Sequence, residues 1–221
     1  MKRRIWLVVL AVLFTVSCLA VNCYSADETK SVAAPKTGAV EKKLVDNFEV
    51  SGMKNLIGGN ANVYVRAPSR VMTTRKRDEI NGAATQVLAI KYDKKNEGGP
   101  YGTGGWCGYY TLLKTGANYF DAAGYKAITF WVKGEKGDEN FMIGLSDEQW
   151  DKIGDSVKSE AVGAYLKDGK ITTSWQKATV PLETFFLDHT KLASITICFE
   201  GDCFPDGAGQ GVVYIDDIML E

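Results

Sequence analysis

A chain of 221 residues, 45% hydrophobic and 11% aromatic, is long enough to close one domain around a real core. Its 26 basic residues nearly match its 27 acidic ones, which excludes the basic footprint of a nucleic-acid-binding protein. Glycine is abundant, at 23 residues, and long helical patterns are scarce, so the composition points to an all-β fold.

The chain opens with Lys2, Arg3 and Arg4 followed by an apolar run from Ile5 to Val16. A basic start and a short apolar stretch read as a secretory signal peptide over residues 1–26. The run is shorter than the roughly 20 residues of a spanning helix, so the mature protein is expected to have no transmembrane span. Small residues at Cys18 and Ala20, and again at Cys23 and Ser25, offer two cleavage points. Thr15-Val16-Ser17-Cys18 also resembles a lipobox that lacks its usual Leu, which would lipidate Cys18. The protein is therefore expected to be secreted or periplasmic, with attachment to the bacterial envelope through a lipid as the alternative. Residues 27–43 have no period and little bulk and read as a flexible tether to a domain at 44–221.

From Leu44 the chain reads as short strands broken by Gly, Asn, Asp and Lys. They are expected at 44–49, 62–67, 70–75, 86–93, 106–114, 126–133, 140–146, 161–165, 175–180, 193–199 and 211–220. A turn or two of helix fits within Asp147 to Glu160. Residues 128, 130 and 132 make one apolar face and 141, 143 and 145 another, and Gly134–Asp138 between them reads as a hairpin turn. The cluster Arg70, Arg75, Lys76 and Arg77, balanced by Asp78 and Glu79, reads as a solvated hairpin tip. Many short strands with regular turns predict two antiparallel sheets packed as a sandwich or jelly roll.

The last strand, Gly211 to Leu220, carries adjacent acids at Asp216 and Asp217. Successive strand side chains point to opposite faces, so one acid turns inward unless a bulge intervenes. If the terminal strands lie together, Glu49 and Asp216 are placed to share a hard cation such as calcium; otherwise they are two solvated edge acids.

Three cysteines follow the leader. Cys198 and Cys203 flank four residues, a spacing open to a disulfide in an oxidising compartment, and Cys107 is left as an odd, buried thiol. His189 is the sole histidine, with no nucleophile-elbow sequence around it, so no Ser-His-Asp apparatus assembles. Acids are plentiful, but nothing singles out a glycosidase pair. The glycine-rich stretch Glu97–Trp106 lacks the Gly-Lys-Ser/Thr of a phosphate cradle and reads as a loop at a sheet edge, with Tyr101 and Trp106 bordering the surface below it.

The aromatic residues carry the functional reading. Trp131 and Trp175 fall among apolar strand positions and read as core or sheet-packing residues. Trp106 and Tyr110 share parity on one strand, roughly 13 Å apart, and face either the core or an open sheet. Trp150 stands among polar loop residues. Flat rings flanked by Asp, Arg and Asn suit sugars, which offer C–H patches to stack and hydroxyls to hydrogen-bond.

Leu44-Val45-Asp46-Asn47-Phe48-Glu49, Asn55-Leu56-Ile57-Gly58-Gly59, Ala89-Ile90-Lys91-Tyr92, Tyr125 through Gly134, Ser174-Trp175-Gln176-Lys177 with Val180-Pro181-Leu182, and Val213 through Ile218 occur in that order. The set resembles the galactose-binding-like β-sandwich, in particular the family 11 carbohydrate-binding module and the complex I intermediate-associated domain. The resemblance implies a jelly roll and a structural calcium between the first and last strands, with Glu49 and Asp216 as ligands and Asp46 and Asp217 as further ones. It also implies a sugar lying across the concave sheet or the adjoining loops, contacted at Arg66, Trp106, Tyr110, Asp147 and Trp150. Where relatives place a Trp after the Gly-Gly pair this chain has Asn60-Ala61-Asn62-Val63-Tyr64, which alters the expected site. The expectation is an exported, non-catalytic polysaccharide binder. Docking to an envelope protein on the same fold is the alternative, and a glycoside-active enzyme the third reading.

Overall fold

A computed structural model of the chain describes residues 41–98 and 104–221. The leader, Cys18, all but the last residues of the tether, and Tyr101 lie outside that range. Eleven strands build the domain: β1 (Lys43–Asp46), β2 (Ala61–Val65), β3 (Arg70–Ile80), β4 (Ala83–Lys94), β5 (Cys107–Leu112), β6 (Ala127–Gly134), β7 (Met142–Asp147), β8 (Val157–Ala161), β9 (Gln176–Pro181), β10 (Leu192–Phe199) and β11 (Gly209–Leu220). One short helix, α1 (Glu148–Ile153), follows β7. All the strand pairings are antiparallel. One sheet runs β3-β4-β11-β6-β9, with β1 also paired to β11; the other runs β2-β5-β10-β7-β8. This is the jelly-roll sandwich that the strand pattern predicts.

The core lies between the sheets and follows strand parity. Ile128, Phe130 and Val132 of β6 meet Phe141, Ile143 and Leu145, and Leu88, Ile90 and Tyr92 of β4 lie in the same cluster. Tyr92 stacks on Phe199 at 3.9 Å between ring centroids, and Phe199 meets Phe141 edge-on at 5.9 Å. Cys107 is buried on this side, and its burial pushes the thiol up to about 12.

The terminal strands do lie together, with Lys43 opposite Leu220 and Asp46 opposite Ile218. A bulge settles the two acids of β11. Its pairing with β6 shifts between Asp216 and Met219, and Asp217 takes a left-handed φ of 47°. Ile215 and Ile218, three residues apart, both reach the core, while Asp216 is buried and Asp217 half-buried.

Several local expectations are corrected. Gly134–Asp138 is not a hairpin: β6 and β7 belong to different sheets, and the segment crosses between them. The Glu139 carboxylate organises the turn, accepting from the Lys136 and Gly137 amides at 2.8 Å each. The basic cluster is not a hairpin tip. β3 and β4 pair without a break from Arg70↔Asp93 to Ile80↔Ala83, and the tip is Asn81-Gly82, both with positive φ. Charges along β3 protect an edge strand from further pairing. Residues 162–165 form a 3-10 turn after β8 and not a strand. Trp131 and Trp175 are half-buried on the outer face of the six-stranded sheet, away from the core, and the Lys133 ammonium lies 5.0 Å from the Trp175 ring. Cys198 and Cys203 form no disulfide. The Cys198 thiol lies beside Thr196 Oγ1 at 3.1 Å, while the Cys203 thiol donates to the Cys198 carbonyl.

Candidate functional site

The outer face of the five-stranded sheet holds a groove of about 520 Å³. Parity on β5 builds its first wall. Cys107 and Tyr109 turn to the core, so Trp106 and Tyr110 emerge on the outside, where both line the groove with Tyr64 of β2. Tyr64 pairs with Gly108, and a Cβ at Gly108 would stand 2.5 Å from the Tyr64 hydroxyl. The missing side chain lets the Tyr64 ring lie flat against the sheet. Burial and the neighbouring Cys198 push the Tyr64 hydroxyl well above the ordinary phenol range, so it remains a neutral donor.

The floor is small and polar, with Ser194 and Thr196 of β10 and Ser146 of β7. Gly144 keeps it open, since a Cβ there would meet Thr196 Oγ1 at 2.2 Å. The opposite wall comes from the segment after β7 and from β8, and is charged. Asp151 pairs with Lys114 and accepts from the Tyr119 hydroxyl at 3.1 Å. Lys158 donates to Asp155 at 2.7 Å and stands 3.6 Å from Glu200. An aromatic wall therefore faces a wall of compensated charges across a hydroxyl-lined floor.

Of the residues expected from sequence, Trp106 and Tyr110 are brought together here. Arg66 stands at their margin, exposed, with its guanidinium 5.9 Å from the Trp106 ring centroid and its amide donating to the Trp106 carbonyl at 2.8 Å. Asp147 and Trp150 are not among the lining residues. Asp147 is buried at the N-cap of α1, where Oδ1 accepts from the amides of Gln149 and Trp150 at 2.9 and 3.0 Å. Its Oδ2 accepts from the Asp188 amide at 2.8 Å, tying α1 to the chain before β10. Asp147→Ala is expected to cost roughly 2 kcal/mol in urea denaturation, through the lost cap and an unsatisfied amide. Retention by polysaccharide should be unchanged in the folded variant.

Sequence reasoning missed Tyr64, Lys114, Asp151, Lys158 and Glu200. Parity within the predicted strand 62–67 was a usable signal for Tyr64. The Lys114–Asp151 pair joins residues 37 apart and leaves no local trace.

Beside the terminal strands, Glu49 and Asp216 gather around Thr85, with Asp217 next to Asp216 in sequence. The Thr85 hydroxyl lies 2.9 Å from Glu49 Oε1 and 2.8 Å from Asp216 Oδ2, and Glu49 also accepts from the Gln86 amide at 2.8 Å. Burial, then Asp217 and Glu49, raises Asp216 to about 6 against the opposing hydrogen bonds from Thr85 and the Asp217 amide. Asp46 belongs elsewhere, lining a second pocket with Arg75 and Tyr109. Among the described residues no group of three or more His, Cys, Asp or Glu side chains forms a ready-made metal cage.

The chain is a jelly-roll β-sandwich with an aromatic-lined groove across one sheet. The solved structures it is similar to agree in fold. A family 11 carbohydrate-binding module from Clostridium thermocellum, in complex with a β-1,3-1,4-mixed-linked tetrasaccharide, matches with a TM-score of 0.56 at 15% identity, over 83% of this chain and 96% of that one. A family 30 carbohydrate-binding module of a cellulosomal cellulase of Clostridium thermocellum matches with a TM-score of 0.50 at 19% identity, over 83% and 95%. A β-1,2-glucanase from Parabacteroides distasonis matches with a TM-score of 0.52 at 16% identity, over 80% of this chain but 24% of that one. No curated protein matches the chain. Residues 40–221 match the family described as carbohydrate binding domain 30, and the chain belongs to that family.

Proposed function

We infer that this protein is an exported, non-catalytic binder of a neutral, β-linked polysaccharide, which lies in the groove along Tyr64, Trp106 and Tyr110. The observation that carries the reading is the pairing of the two walls. Three rings offer flat apolar surface, and the serines and threonine of the floor offer exchangeable hydrogen bonds. Both lysines of the groove are already matched by Asp151, Asp155 and Glu200. Among the described lining residues an acidic polymer would find no uncompensated cation, Arg66 standing only at the margin, and it would meet three carboxylates, so charge complementarity selects against it. The family 11 neighbour with its mixed-linked tetrasaccharide supports a β-glucan. The basic, apolar leader and the tether support export and reach, with lipidation at Cys18 as the anchored form. Among the described residues no helix is long and apolar enough to cross a membrane.

A structural calcium at Glu49, Asp216 and Asp217 completes the proposal. The donor set supports it, being all oxygen, with Glu49 in the loop just after the first strand and Asp216 and Asp217 in the last, and the mutual repulsion of the acids is what a divalent cation would relieve. These residues would hold the cation and so fasten the ends of the domain to each other.

Affinity gel electrophoresis against mixed-linkage β-glucan, xylan, mannan and de-esterified pectin tests the binding reading. Retardation by a neutral β-glucan and none by pectin is expected. Retardation by pectin alone would overturn the neutral assignment. Free migration in every gel would overturn glycan binding and turn attention to an envelope protein partner.

A further inference from the structure

Beyond the groove, β2 and β3 are each an edge strand of one of the two sheets, and a pocket of about 230 Å³ is lined by both. Ala61 and Asn62 of β2 line it on one side, and Thr73, Thr74 and Arg75 of β3 on the other. Arg75 Nη2 donates to the Gly52 carbonyl at 3.3 Å, but its Nε is buried with no hydrogen-bond partner among the described residues. Asp46 also lines the pocket and is 4% exposed, with Oδ1 accepting from the Phe48 amide at 3.0 Å. It feels the charge of Arg75, yet no ion pair joins the two among the described residues.

Arg75 and Asp46, opposite charges with no ion pair between them among the described residues, line one small space, and this restricts what can fill it. A carboxylate ligand would satisfy Arg75 and repel Asp46; an ammonium would do the reverse. Hydroxyl groups accept from the one and donate to the other. Leu88 and Tyr109 inside, and Met53 at 60% exposure in the loop at the mouth, supply apolar surface for C–H faces. The volume is below that of the usual drug-sized site, which sets the occupant at about one ring.

We propose that this edge pocket is a second glycan site, taking a single neutral hydroxylated ring between Arg75 and Asp46. The ring is a free monosaccharide or the terminal unit of a chain. About a dozen non-hydrogen atoms supply a millimolar dissociation constant at ordinary ligand efficiency.

Amide NMR of the full chain at fixed calcium tests it, with D-glucose and cellotetraose as probes. In the wild type and in Trp106→Ala, the amides of residues 52–54 and 73–75 should shift with a millimolar midpoint. The shifts should vanish in Arg75→Leu and weaken several-fold in Asp46→Asn, which keeps an acceptor for the Phe48 amide. Using Trp106→Ala separates this pocket from the groove, so either site can fail alone. Shifts with glucose identify a free-sugar site, and shifts with cellotetraose alone identify a chain-end site. If neither probe moves those amides in Trp106→Ala, or if Arg75→Leu and Asp46→Asn both respond like the wild type, the pocket holds solvent only and the proposal falls.

Discussion

Trp106→Ala should lower affinity for a neutral β-glucan by roughly ten- to a hundredfold, the effect of removing one aromatic anchor from a binding surface. The indole stands just before β5 on the outer face, so its removal leaves no cavity between the sheets. The melting temperature should therefore stay within about 2 °C of the wild type, because surface substitutions of this kind change stability little. Tyr110→Ala should do comparable damage, since Tyr110 lines the groove on the same face, opposite Thr196 on one side and Asn62 on the other. Arg66→Ala should cost only a few-fold, because the guanidinium contacts the indole from an exposed position. Isothermal titration with a mixed-linkage tetrasaccharide separates these cases. Undiminished binding in both Trp106→Ala and Tyr110→Ala would place the glycan on another surface.

The sheets were legible in the sequence because alternation survives wherever one face is buried. Residues 128, 130 and 132 show it plainly, as do 141, 143 and 145. The same signal misled at Gly134–Asp138, since two alternating strands around a turn look alike whether they pair or cross to the opposite sheet. Only the buried Glu139, which wraps the turn amides, marks the crossing, and a lone acid in a loop does not announce its burial. β3 was cut short because Arg75, Lys76, Arg77 and Asp78 hide a strand whose edge position tolerates charge on both faces. The aromatic half of the groove was readable from the parity of Trp106 and Tyr110. Its charged half was not, because Lys114, Asp151, Lys158 and Glu200 converge only after β5, β7, β8 and β10 have assembled. Asp147 and Trp150 took a ligand role from the family resemblance; the structure places Asp147 at the N-cap of α1 and Trp150 half-buried within it, which local sequence does not announce.

Chelation should reverse the way stability depends on pH. In the metal-free protein the carboxyl of Asp216 is raised to about 6, first by burial and then by Asp217 and Glu49. A folded pKa above the unfolded value of 3.8 means that the native state binds the proton more tightly. The contribution is therefore fully present below about pH 4 and is lost as pH rises through 6, to a total of up to roughly 3 kcal/mol. Asp217 is shifted in the same direction by its burial and by Glu49. Glu49 runs the other way, lowered by the Gln86 amide and the Thr85 hydroxyl, but it is fully exposed and adds little. In EDTA, wild type should thus lose stability between pH 4.5 and 7.5 relative to Asp216→Asn, which lacks the titration. Saturating calcium would keep the acids ionised and remove the penalty. At a hundred times its dissociation constant it would add about 2.7 kcal/mol, or roughly 5 to 10 °C in melting temperature. Asp216→Asn should respond to neither calcium nor chelator. Identical melting curves for the wild type in calcium and in EDTA at pH 7.5 would reject the metal. A flat difference between wild type and Asp216→Asn across the same range would reject the raised Asp216 carboxyl as the source of the pH dependence.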